Sequence, residues 1–180
     1  MGKDIWMKTG RTAALLGPAV FALFTAIAIY NYSGYTPYAN YLSDLGIGKS
    51  AMFFNLGVIV AGLCGIMLAI AIHNTLKRND KWIAIMIACS AIALIGVGVF
   101  PEDYGSIHTT VSALFFGLLG IALLFLSHAL KGSSYISLVT SIFIFTFLIQ
   151  HNQPFSEHVA VVSIMIWSIT MGFWLKKLMK

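Results

Sequence analysis

Charge is scarce in this chain. Of 180 residues, only 9% are Asp, Glu, Lys or Arg, while 59% are apolar. A soluble domain carries about 25% charged residues, so this composition excludes a water-solvated globule. Cysteine is nearly absent as well. Cys64 and Cys89 both lie inside apolar runs, which excludes a disulfide framework or a paired-cysteine motif and leaves them as small packing residues. The net charge of +5 would suit a nucleic-acid partner. The basic residues, however, stand at the ends of apolar runs and form no patch interleaved with aromatics, so no nucleic-acid partner is expected. No apolar run carries a charge at its middle, which argues against an ion pump.

What the chain does have is six apolar runs, at about residues 12–30, 51–72, 82–100, 108–130, 135–150 and 158–175. Each is read as a membrane-crossing helix. The expected fold is an all-α polytopic membrane protein, residues 1–180 forming a single six-helix transmembrane domain. The basic start before the first run imitates a signal peptide, and Ala26-Ile27-Ala28 imitates a cleavage site. The run exceeds a typical signal core and is read as a retained first span, kinked by Pro18. The fifth run is short and rich in Phe and Ile, and is expected to face lipid. Pro154 is expected to turn the chain before the sixth.

Six spans place both termini on one side. Ten of the eleven Lys and Arg residues fall in the termini or in the second and fourth connections, with Lys49 the exception. The positive-inside rule makes those segments cytoplasmic in the cell membrane. The first, third and fifth connections then face outward, with Asp44, Glu102, Asp103 and Glu157, four of the six acidic residues. Six of the seven tyrosines lie at the same level, where a ring is buried while its hydroxyl stays wet.

The costly residues thus gather at the outward ends of spans. Asp44, Glu102, Asp103 and His108 are the candidate catalytic residues. Asn55, Ser112, His151, Glu157 and His158 are the candidate substrate-binding ones. Carboxylates and histidines at this level suit general acid–base chemistry. They also admit a divalent metal such as zinc, which is not favoured because their spacing matches no metal signature. His108 and Ser112, four apart, share a helix face. Asn55, an amide about one turn inside the second span, needs a partner within the bundle. The competing structural reading is that acidic residues here only cap helix N-termini, with Asp103 or Ser106 capping the fourth span and Ser50 the second.

Leu42-Ser43-Asp44-Leu45-Gly46, then Phe54-Asn55-Leu56-Gly57, then Phe100-Pro101-Glu102-Asp103 with His108 resemble the signature of an uncharacterised family of prokaryotic six-span membrane proteins. The resemblance spans nearly the whole chain. It implies the six-span topology and singles out Asp44, Asn55, Glu102, Asp103 and His108, without supplying a reaction. A remoter likeness is to eukaryotic six-span proteins that include a factor for remodelling lipid-anchored proteins, which points towards lipids. The H-x-x-x-H pattern of the seven-span ceramidase-like hydrolases is absent. Two readings stay open. In one, the cluster binds or modifies a lipid or lipid-linked substrate. In the other, it is structural, in a protein that binds or moves a lipid or small solute, or serves as a scaffold. Membrane lipids are the expected partners in both.

Overall fold

The computed structural model describes residues 2–130, 135–150 and 153–179. They form six α-helices: α1 (Gly2–Asn31), α2 (Ala51–His73), α3 (Lys81–Val99), α4 (Ser106–Ala129), α5 (Tyr135–Ile149) and α6 (Pro154–Leu178). Short 3-10 turns at Ser43–Gly46, Gly48–Ser50, Arg78–Asp80 and Glu102–Tyr104 lie in the connections. Five helices, all but α5, are long and apolar enough to cross a membrane. Each helix packs on its neighbours in chain order, and α6 returns against α1, so the six close into a ring.

Three elements differ from the sequence expectation. The first helix starts at Gly2, so the basic N-terminal stretch continues the span. The sixth starts at Pro154, not at residue 158. Proline lacks only an N–H that has no partner in a first helical turn anyway, so Pro154 opens the helix where it had been read as a break. The third concerns α5, which is not simply a lipid-facing helix: Ser137, Thr140, Ser141 and Ile144 are buried against its neighbours.

Two kinds of contact hold the ring, as expected where lipid gives no hydrophobic drive between helices. Between α1, α2 and α3, small residues let backbones approach. A Cβ added to Gly62 would lie 2.9 Å from the Ala91 carbonyl and 2.6 Å from Ile95 Cγ1. From α3 round to α6, hydroxyls donate to carbonyls of the next helix. Ser90 bonds Phe115 O at 2.9 Å, Ser141 bonds Gly120 O at 2.8 Å and Thr140 bonds Ser163 O at 3.2 Å. Such bonds are worth about 0.6 kcal/mol each. At the closing seam, Pro18 removes the N–H that would have bonded the Ala14 carbonyl four residues back. Ser168 of α6 donates to that same carbonyl at 3.0 Å. The hydrogen bond missing from α1 and the ring closure therefore answer each other.

Candidate functional site

The connections 32–50 and 100–105 meet the start of α6 at one end of the ring. Residues 32–50 cross that end as a strap. Two positive-φ glycines, Gly34 (φ 78°) and Gly48 (φ 67°), provide backbone that other residues adopt only under strain. Gly46 lies so close to α2 that a Cβ there would be 2.8 Å from Asn55 Oδ1. Asn55 Nδ2 donates to the Gly46 carbonyl at 3.0 Å, which answers the amide's need for a partner. On the far side the strap is fastened to α6. Tyr35 Oη meets His158 Nε2 at 2.6 Å, the Leu42 N–H donates to Glu157 Oε2 at 2.7 Å, and Tyr38 stacks on Phe155 with ring centres 5.0 Å apart.

Asp44 is fixed from within the strap. Its Oδ2 accepts from Asn40 Nδ2 at 3.0 Å and from the Tyr41 N–H at 3.2 Å. Glu102, on the turn between α3 and α4, faces it. Taken as carboxylates, both groups only accept, and Glu102 Oε2 is buried without a donor. Burial, then the hydrogen bond and charge of Asp44, push the Glu102 carboxyl up to about 7. One proton shared by the pair closes that bond, as in other close carboxyl pairs. Burial and the nearby charges of Glu157 and Asp44 also raise the Tyr35 and Tyr41 hydroxyls, so both phenols stay protonated.

His108 and Glu157 lie deeper, at 9% and 8% exposure. His108 Nδ1 is 2.8 Å from the Phe100 carbonyl. A carbonyl can only accept, so Nδ1 carries the proton, and Nε2, 3.3 Å from Ser112 Oγ, is the nitrogen left to accept when the ring carries one proton. The i, i+4 spacing of these two residues made that contact legible. His158 repeats the arrangement, with Nδ1–H on the Pro154 carbonyl at 2.9 Å. Anchoring Nδ1 in this way is how proteins orient a ligating imidazole. Among the described residues, no three His, Cys, Asp or Glu side chains are grouped to hold a metal ion.

Beneath the strap, a cavity of about 140 Å³ runs into the ring. Ser43, His108, Ser112 and Glu157 line it at the strap end, and Leu68, Ile87 and Trp167 line it further along those helices. Of the candidate residues, His108, Ser112 and Glu157 therefore border one cavity. Asp44 and Glu102 pair with each other beside it, Asn55 is turned to Gly46, and His158 is turned to the strap. Asp103 is exposed at the surface. His151 lies outside the described residues. Asp103 and Ser106 do not cap α4, whose N-cap is Gly105; Ser50 does hold the N-cap position of α2, but its hydroxyl donates back to Ile47 O and makes no cap bond. Tyr35, Asn40 and Ser43 also belong to the site, although nothing in their sequence pattern beyond the interfacial level of the tyrosines marks them.

The apolar helices define a multi-pass integral membrane protein. The chain belongs to the DUF998 family, proteins of unknown function, whose family model matches residues 15–174. No curated protein and no solved structure matches it.

Proposed function

We propose that the protein binds a lipid or lipid-linked amphiphile, its apolar chain in the ring cavity and its polar group under the strap. The carrying observation is the continuity of one cavity from Glu157, His108 and Ser112 to apolar residues such as Leu68 and Ile87. Its volume of about 140 Å³ is close to that of an engineered apolar cavity that takes up benzene. It therefore admits a ring or about half a dozen carbons of one chain, and not a whole two-tailed lipid. The strap end faces outward and both termini are cytoplasmic in this reading, supported by the placement of Lys and Arg. Cysteine placed at Gly105 should react with an impermeant reagent on intact cells, and cysteine at Asn79 should not; the reverse pattern overturns the orientation.

The binding test is photo-crosslinking with a single-chain probe bearing a diazirine near its tail. Adducts are expected on Leu68, Ile87 or Trp167, and to fall sharply in a cavity-filling Ala61→Phe variant. Adducts confined to exposed residues such as Ile85, Ile92 and Leu114 would sink the proposal. The Ser112 to His108 contact also supports chemistry at this place. Imidazole Nε2, oriented through Nδ1, is a general base suited to neutral pH. Lipid turnover by the parent and its loss in a folded His108→Ala variant would support that version, and turnover unchanged by the substitution would reject it.

A further inference from the structure

Resting on that reading, the geometry points to a ligand whose polar group is an ammonium: a single apolar chain ending in an amine, with Glu157 as its counter-charge. The N–H donors that the described residues set around the three carboxyl groups and His108 are already committed. The Leu42 N–H is spent on Glu157, Asn40 Nδ2 and the Tyr41 N–H on Asp44, and His108 Nδ1–H on the Phe100 carbonyl. What remains are acceptors. His108 Nε2 has only a long contact with the Ser112 hydroxyl, which can rotate, and beside the cavity Glu102 Oε2 accepts from no fixed N–H or O–H donor. Glu157 is nine-tenths buried and lines the cavity.

Charge points the same way. No Lys or Arg is among the residues lining the cavity. The charged groups that act on Glu157 are Glu102 and Asp44, both acids. A phosphate or carboxylate headgroup would add a further negative charge to three carboxyl groups with no cation to balance it. An ammonium brings three donors and one positive charge to a place that has acceptors and unbalanced acids. The cavity volume, about 140 Å³, restricts the apolar part to one chain.

The test uses the full chain in phosphatidylcholine nanodiscs at neutral pH, with the diazirine probe bound. Dodecylamine, dodecanol and dodecyl phosphate compete with it, each expressed as its mole fraction in the bilayer. Dodecylamine should displace the probe at about tenfold lower mole fraction than dodecanol, the size of one charge-assisted contact, with dodecyl phosphate weakest. Glu157→Gln should bring dodecylamine level with dodecanol while dodecanol still competes, which shows that the variant is folded and its cavity intact. If Glu157→Gln does not bind the probe, Glu157→Asp is read for a partial amine advantage. Dodecyl phosphate matching or exceeding dodecylamine would overturn the amine assignment and leave chain binding standing. So would an amine advantage that survives substitution of Glu157. If none of the three displaces the probe, the cavity reading fails together with this one.

Discussion

The two ends of the ring are closed by different means. At the Lys77 end, the connection between α2 and α3 is held by local bonds: Asn74 Nδ2 to Ile70 O at 3.0 Å and Thr75 Oγ1 to Ile72 O at 2.7 Å, three or four residues apart. At the strap end, the bonds join residues 115 and 123 positions apart, Leu42 to Glu157 and Tyr35 to His158. A connection that only reverses the chain needs no more than a local cap. The strap uses distant, titratable partners and covers a cavity mouth. Long-range polar order concentrated at one end is what distinguishes a site from a turn.

The largest effect expected from breaking this contrast is at Glu157. Glu157→Leu leaves the Leu42 N–H buried and unpaired, at a cost of about 1–3 kcal/mol. At about 2–4 °C per kcal/mol for a chain of this size, thermal melting of the purified protein should drop by about 5 °C. An unchanged Tm would mean that this bond does not hold the strap.

A smaller effect is expected from the carboxyl pair. Glu102 sits at about 7 in the folded protein, above its usual 4.5. Between those two values the folded state keeps a proton that the unfolded state has lost. Stability should therefore fall as pH rises through that window and level off above about 7. Solvent screening at this partly exposed group limits the change to about 1 kcal/mol. Glu102→Gln should flatten this part of the Tm-against-pH curve, and an unaltered slope would remove the shared proton. The smallest effect belongs to the opposite end. Asn74→Ala should cost about 0.5 kcal/mol and leave probe crosslinking unchanged. A large loss there would erase the distinction between the ends.

The helices were legible in the sequence because uninterrupted apolar runs have few other structural solutions. The start of α6 was not, because a proline after a polar segment reads equally as a break or as a first-turn residue. The buried face of α5 was also hidden. Ser137, Thr140 and Ser141 are as compatible with lipid as with a neighbouring helix, and only packing decides. Within the site, His108 and Ser112 were legible through helix periodicity. Glu102 and Asp103 are adjacent and chemically alike, yet the turn directs only Glu102 towards Asp44. The partnerships of Tyr35 with His158 and of Leu42 with Glu157 carry no local signal at all, since they depend on the ring closing α6 against α1.

The shortness of α5 has a consequence for the surrounding lipid. Its 15 residues, at 1.5 Å per residue, make about 22 Å of helix, against a hydrocarbon core of about 30 Å. A helix of the described length that crosses the membrane thins the bilayer beside it or draws flanking residues inward, at a cost of fractions of a kcal/mol for each ångström of mismatch. Hydrophobic thickness thus becomes a variable acting on one side of the molecule only. A thicker, sterol-rich membrane would strain the α5 side while leaving the α1 side at rest.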